Sequence, residues 1–161
     1  REAGSYGKDT KGMFRVHQFN KVEMFVFCKP EESKKEHELI LSIEKEIYTE
    51  LGIPFQVVLI ATGDLGDPAS AKYDLEAWFA GQEKYREITS TSNTTDFQAR
   101  RLNIRFKTND NKTDFVHMLN GTGASDRPFI AILENNQNND GSITIPKVLV
   151  KYFGKNRIEA K

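Results

Sequence analysis

The stretch Tyr73–Ser92 reads YDLEAWFAGQEKYREITSTS. Tyr73, Leu75, Ala77 and Phe79 alternate with Asp74, Glu76 and Trp78, the two-residue period of a strand with one face in a core. Tyr85–Ser92 alternates again, after only a few residues with a glycine among them. A connection that short cannot carry a parallel crossover, so the two strands are expected to pair as antiparallel neighbours.

The same pattern extends outward. Met13–Phe19 alternates, with Arg15, His17 and Phe19 on one face and Phe14 and Val16 on the other. Lys21–Cys28 forms another strand-like run carrying Glu23, Phe25 and Phe27 on one face. Residues 33–51 form the clearest helix: Ser33 and Glu36 fit a capping box, Ile40, Ile43, Ile47 and Leu51 make an apolar stripe, and Gly52 stands at the C′ position before Pro54. Its charges, with His37, are read as a solvated outer face. Residues 55–61 read as a buried strand, 62–70 as a loop, 96–103 as one or two helical turns, and "IRFK" and 113–119 as further strands. A glycine-rich turn then leads to a helix from Pro128 to about Glu134, followed by "SITIP" and a short last helix, "KVLVKYFG". Strands joined by loops and hairpins predict an α+β architecture: an antiparallel sheet flanked by helices.

The 161 residues carry 23 Lys+Arg against 23 Asp+Glu, so no global basic field marks the chain for nucleic acid. Its single cysteine, Cys28, excludes an internal disulfide and a Cys-based zinc site, and reads as a buried thiol in a reducing, cytoplasmic setting. No run reaches the ~18 apolar residues of a membrane span. "REAGSYGKDTKG" opens without an initiator methionine or a hydrophobic lead-in and reads as a chain cut from something longer.

The histidines offer no catalytic pattern. His37 lies on the helix, and His117 reads as a packed strand residue. What stands out is charge inside strands: Arg15, Glu23, Glu76 and Glu87, with Arg127 after the glycines of "LNGTGASDRPFIAILEN" (Leu119–Asn135). Such charges are costly unless solvated or paired. One reading is an exposed sheet face; the other is a polar floor for a ligand bearing both phosphate and ammonium.

Four blocks in order carry a resemblance over nearly the whole chain. "EAGSYGKDTKGMFRVHQFNKVEMF" resembles motif 2 of the seryl-tRNA synthetases. "TGDLGDPASAKYDLEAWF", "YREITSTSNTTDFQARRLNIRF" and "VHMLNGTG…IAILENNQNNDGSITIPKVL" resemble later blocks of the same enzymes. The resemblance implies a partial class II aminoacyl-tRNA synthetase catalytic fold, with motif 2 at 1–28 and motif 3 at 115–136. It implies a serine–tRNA ligase of the zinc-free type that activates L-serine with ATP and Mg²⁺ and charges serine tRNA. The parent enzyme is then a cytoplasmic homodimer.

Roles follow residue by residue from that resemblance. Arg15 corresponds to the arginine on the γ-phosphate and Phe19 to the phenylalanine under adenine. Glu2 matches the carboxylate at the adenine end, and the backbone of Val16, His17 and Gln18 lines the nucleotide. Glu23 corresponds to the acid that holds serine, completed by Asn120 and Thr122. Glu87 and Ser90, with Ile88 and Thr89 between, correspond to the Mg²⁺ and ATP segment. Arg127 corresponds to the motif 3 arginine over adenine and γ-phosphate. Lys8 and Lys11 lie in the loop that approaches the tRNA acceptor stem. Two geometric expectations accompany these roles. A straight strand would hold Arg15 and Glu23 roughly 27 Å apart at ~3.4 Å per residue, so a bend is expected near Asn20. Glu87 and Ser90 have opposite parity, so their strand must bend or one must act indirectly.

The sequence also departs from the family. The arginine that opens motif 2, motif 1, the upstream serine loop and the coiled-coil tRNA arm have no counterpart in these residues, which predicts a C-terminal catalytic portion with little or no charging activity by itself. The segment before Arg127 is one residue shorter than usual, which makes the aim of Arg127 the question that motif 3 poses. Two other readings are a non-catalytic synthetase-like interaction module and an amino acid ligase that charges a carrier protein.

Overall fold

A computed structural model describes residues 12–160. Its centre is a five-stranded sheet built from β1 (Lys21–Cys28), β2 (Phe55–Leu59), β3 (Ala71–Phe79), β4 (Lys84–Asn93) and β7 (His117–Ser125), in the order β1-β7-β4-β3-β2. Every neighbouring pair is antiparallel. β3 and β4 pair as a hairpin, in keeping with the expected antiparallel sheet of strands joined by loops and hairpins. β7, late in the chain, inserts between β1 and β4.

Helix α1 (Ser33–Glu50) links the two edge strands by crossing one face of the sheet over β7 and β4. Helix α3 (Arg127–Asn135) packs on β3. Tyr48 of α1, Leu75, Ala77 and Phe79 of β3, Ile88 of β4 and Ala131 and Ile132 of α3 form one core. Burying the larger of these side chains, Leu75, Phe79, Ile88 and Ile132, contributes roughly 1.5–3 kcal/mol each. Helix α2 (Phe97–Leu102) and the hairpin of β5 (Arg105–Lys107) and β6 (Thr113–Phe115) make a satellite cluster around Ala99, Val116 and Met118. The chain closes with β8 (Ile143–Thr144), α4 (Lys147–Phe153) and β9 (Arg157–Ile158), β8 pairing with β9. Among the described residues no helix is long and apolar enough to cross a membrane.

Several local expectations are corrected. Residues 12–20 turn repeatedly and form no strand; the strand begins at Lys21. The α1 cap is not a Ser33–Glu36 box. A single 3-10 turn, Pro30–Glu32, leads into the helix, and the Ser33 hydroxyl donates back to the Pro30 carbonyl at 3.0 Å. The buried line of α1 is Ser33, His37, Ile40, Glu44 and Tyr48, so Ile43, Ile47 and Leu51 flank the interface, and His37 and Glu44 do not face solvent. Strand β2 is a half-exposed edge rather than a buried strand. Cys28 is only partly buried. Gly52 does end α1 with φ 68°, as its C′ position requires.

The largest correction concerns the glycines of Leu119–Asn135. Gly121 and Gly123 lie inside β7, outside the positive-φ positions, and make no turn. A Cβ on Gly121 would stand 2.3 Å from Ile40 Cγ2 and 2.9 Å from Glu44 Oε1. The glycine lets α1 lie directly on the strand.

Candidate active site

Because β7 alternates, the residues on either side of Gly121 point away from α1. Asn120 and Thr122 therefore share the open face of the sheet. The β1–β7 register sets Glu23 opposite Thr122, just past an irregularity between Val22 and Glu23. The Glu23 carboxylate accepts from Asn120 Nδ2 at 3.0 Å and from Thr122 Oγ1 at 3.1 Å. Lys21 Nζ stands 2.9 Å from the same carboxylate, whose side chain is only 18% exposed. Expected from the sequence as a trio, Glu23, Asn120 and Thr122 are one hydrogen-bonded unit, with Lys21 as a fourth member.

Strand β4 brings the second group. Leu75 pairs with Thr89, but Glu76 pairs with Glu87, so Ile88 is an extra residue on β4, a bulge. Glu87 thus stands opposite Glu76 and Ser90 opposite Asp74, two positions that share a face of β3. The bulge resolves the parity of Glu87 and Ser90 and turns both to the same side. Among the described residues no three His, Cys, Asp or Glu side chains converge as a metal cage. One carboxylate and one hydroxyl suit a hard cation that keeps phosphate oxygens and water as its other ligands.

Arg127 opens α3 with Pro128 behind it in the first turn. Its Nη1 donates to the Glu87 carbonyl oxygen at 2.8 Å, and the Glu87 carboxylate lies 3.8 Å away. The guanidinium stands 4.5 Å from the Phe14 ring centre, and that of Arg86 stands 4.0 Å from the same ring. Phe14 in turn meets Phe79 edge-on at 5.3 Å. Phe14 is thus an aromatic seat for two arginines.

The extended path from Arg15 to Glu23 is broken by bends at residues 12–15 and 17–18, ahead of Asn20. The Asn20 amide donates to the Asp126 carboxylate at 3.1 Å, tying the entry of β1 to the start of α3. Asp126 belongs to the "ASD" of the shortened segment.

A cavity joins these parts. Arg15, Val16, Phe19 and Lys21 line it from the bent segment, Glu87, Ile88 and Thr89 from β4, and Thr122, Asp126 and Arg127 from β7 and α3. Its volume of about 120 Å³ falls below the ~300 Å³ of an ordinary small-molecule pocket, so these walls alone do not enclose a nucleotide. Phe19 is 44% exposed on this wall. His17 and Gln18 are exposed and outside the lining; Glu23, Asn120 and Ser90 adjoin it without lining it. Glu2, Lys8 and Lys11 lie outside the described residues.

The opposite face holds polar residues that the sequence reading put in solvent. His37 is buried, with its Nε2 3.1 Å from the Thr91 carbonyl oxygen. Burial lowers its basicity, outweighing that hydrogen bond and the Glu38 charge. Glu44 is fully buried and accepts from Thr89 Oγ1 at 3.2 Å. Burial pushes its carboxyl up to about 8; the Thr89 hydrogen bond opposes this and the Glu23 and Asp74 charges add to it. Tyr48 donates to the Gly123 carbonyl at 3.3 Å. The 37-44-48 spacing on one helix face was the available signal, masked by residue types that usually mark a solvated side. Asp126 carried no periodic signal, and the alternating runs that held Phe14 and Lys21 did not single them out.

Comparisons with known proteins identify the family and its relatives. Residues 1–136 match the model of the tRNA synthetase class II core domain (G, H, P, S and T). A serine–tRNA ligase of Dictyoglomus thermophilum is 55% identical over 161 residues, covering 99% of this chain and 38% of its own length. A serine–tRNA ligase of Pyrococcus horikoshii is 58% identical over 156 residues, covering 96% of this chain and 34% of its own. The crystal structure of the seryl-tRNA synthetase from Pyrococcus horikoshii complexed with ATP superposes with a TM-score of 0.93 at 55% identity, over 98% of this chain and 36% of that one. The cytoplasmic serine-tRNA ligase of Naegleria fowleri in complex with AMP gives 0.89 at 41% identity, over 96% and 37%. The chain thus spans a little over a third of the length of these relatives.

Proposed function

The chain belongs to the tRNA synthetase class II core domain family (G, H, P, S and T), and on that premise we propose that it is the ATP- and serine-binding portion of a serine–tRNA ligase. One observation carries the reading. A carboxylate held by Asn120 and Thr122 adjoins a cavity walled by two arginines, Arg15 and Arg127. Serine offers an ammonium and a hydroxyl to Glu23, and ATP offers phosphates to the arginines.

The activation step joins a serine carboxylate oxygen to the α-phosphorus of ATP and breaks the bond from that phosphorus to the bridging oxygen, releasing pyrophosphate. The chain's task is to align these groups and neutralise charge, which lowers the barrier without covalent help from the protein. Glu23 orients the amino acid, while Asn120, Thr122 and Lys21 hold Glu23. Arg15 and Arg127 balance the departing pyrophosphate, and Phe19 offers a stacking surface for adenine. Glu87 and Ser90 are the residues to hold Mg²⁺, which when bound adds positive charge at the phosphate oxygens. In the second step the terminal ribose hydroxyl of serine tRNA attacks the seryl carbonyl and AMP leaves. Glu2 is assigned to the adenine end of ATP and Lys8 and Lys11 to the acceptor stem. The backbone of Val16, His17 and Gln18 is assigned to the nucleotide. The whole enzyme is read as a cytoplasmic homodimer and this chain as part of its catalytic unit.

Discrimination follows from the same carboxylate. An amino acid without the hydroxyl leaves a polar group of the site unpaired, which a hydrogen-bonding site rejects strongly. The test is serine-dependent exchange of pyrophosphate into ATP by the full-length protein. Exchange that is lost in Glu23→Ala supports the reading; exchange driven equally by alanine and serine overturns it.

A further inference from the structure

The residues of β4 and β7 alternate between two jobs. Thr122 meets Glu23 and Ser90 stands opposite Asp74 on the open face, while the side chains of Thr89 and Thr91, with Gly121 and Gly123, turn to α1; Thr89 also lines the cavity. Glu44, His37 and Tyr48 of α1 reach three of these four residues: Glu44 meets the Thr89 hydroxyl, His37 the Thr91 carbonyl and Tyr48 the Gly123 carbonyl. The Thr91 hydroxyl donates across the strands to the Asn120 carbonyl at 3.2 Å. Glu44 sits at the middle of this row, fully buried, where Gly121 leaves room for it.

We propose that Glu44 is a positioning residue: by accepting from Thr89, the residue that follows the Ile88 bulge, it fixes where β4 turns Glu87 toward the cavity. The inference rests on the adenylate-site reading for its catalytic consequence and on the buried row for its geometry. A carboxyl is an expensive choice for such a place, since an apolar side chain would fill it without desolvation cost. Its use is directional. The Thr89 hydroxyl has one fixed acceptor, and Thr89 immediately follows the Ile88 bulge that turns Glu87 toward the cavity. Losing that acceptor lets the bulge shift along β4. A small displacement of reacting groups is enough to slow a reaction that depends on alignment.

The test compares Glu44→Ala, Glu44→Gln and Thr89→Val in the full-length protein, using serine-dependent ATP–pyrophosphate exchange together with melting temperature. Glu44→Gln keeps an acceptor of the same shape and is expected to hold kcat within about twofold. Glu44→Ala is expected to lower kcat about tenfold with a smaller change in the KM for ATP, the signature of misalignment rather than lost binding. Thr89→Val is expected to lower kcat in the same direction, and the double variant to be no worse than Glu44→Ala alone. A folded Glu44→Ala with unchanged kcat overturns the proposal, as does a double variant in which the losses add. If Glu44→Ala does not fold, Thr89→Val decides: full kcat overturns the proposal and reduced kcat supports it. If the wild type shows no serine-dependent exchange, the synthetase reading fails by itself. Amide hydrogen exchange in Glu44→Gln and Thr89→Val then settles the positioning claim. Faster exchange in Thr89→Val confined to residues 86–92 and 119–123 supports it, and unchanged exchange there overturns it.

Discussion

Arg127 donates to the backbone carbonyl of Glu87 at 2.8 Å while keeping its guanidinium 3.8 Å from the Glu87 carboxylate. The two residues are 40 positions apart, one opening a helix and the other ending the regular part of a strand. Their contact places the Arg127 guanidinium beside Glu87 on the cavity wall. Asp126 ties the helix start to Asn20, Pro128 sets the first turn, and Arg127 reaches the cavity. Replacing Arg127 with alanine is expected to raise the KM for ATP about 10- to 100-fold, equivalent to the ~1.5–3 kcal/mol of a charge-assisted hydrogen bond, with the KM for serine nearly unchanged. Equal rises for both substrates would count against a nucleotide role.

Thr122 tests the serine side. Thr122→Val preserves shape and removes the donor to Glu23. The KM for serine is expected to rise about tenfold, with the KM for ATP moving less than about twofold, because the carboxylate loses one of its orienting bonds. Calorimetric titration with a non-hydrolysable seryl-adenylate analogue checks this directly. Unchanged affinity in both Thr122→Val and Glu23→Ala removes Glu23 from the serine site.

Gly121 is a packing test. Any side chain there collides with Ile40 at 2.3 Å and crowds Glu44. Gly121→Ala is expected to cost about 1–3 kcal/mol through overpacking, and Ile40→Val in the same chain to restore part of it. Urea denaturation measures both. A Gly121→Ala protein as stable as wild type means that α1 does not lie against β7 as described.

Glu44 predicts a pH dependence of stability. Its carboxyl is raised from the ordinary 4.5 to about 8, chiefly by burial. Between those values the folded protein keeps a proton that the unfolded chain releases. Folding therefore binds a proton, and stability falls as pH rises. This contribution is fully present below about pH 4.5 and is lost as pH climbs through about 8. Glu44→Gln has no such proton, so its stability relative to wild type should grow between pH 5 and pH 8. Parallel curves for the two proteins in urea melts at pH 5, 6.5 and 8 would contradict a neutral buried Glu44.

The isolated 161-residue chain is expected to charge serine tRNA weakly or not at all, since the cavity walls among the described residues do not enclose a nucleotide. Robust charging by this chain in an acceptor assay, with wild-type kcat, would show the walls to be sufficient.

What could be read in advance follows from how each feature is encoded. The β3–β4 hairpin was legible because alternation over Tyr73–Ser92 is local. The end of α1 at Gly52 was legible for the same reason. Glu23 and Glu87 stood out because a charge within an apolar alternation has few uses, whereas Arg15, in a segment that forms no strand, and Arg127, after the glycines, rested on the resemblance. Gly121 and Gly123 were misread as a turn because close approach of a helix and a positive φ both favour glycine, and a sequence does not distinguish them. Glu44 and His37 were placed in solvent because their residue types usually belong there.

By itself the sequence determined the antiparallel α+β plan, the charged residues that interrupt the strands and the family resemblance, all properties of neighbours or of ordered motifs. Only the tertiary structure decided that the Ile88 bulge turns Glu87 and Ser90 to one side, that Asp126 pins Asn20, and that α1 drives a carboxyl into the underside of the sheet. Glu23 and Thr122 are 99 residues apart, and Glu44 and Thr89 are 45 apart. The partner of a polar group at such range is chosen by packing and strand register, which no local period records.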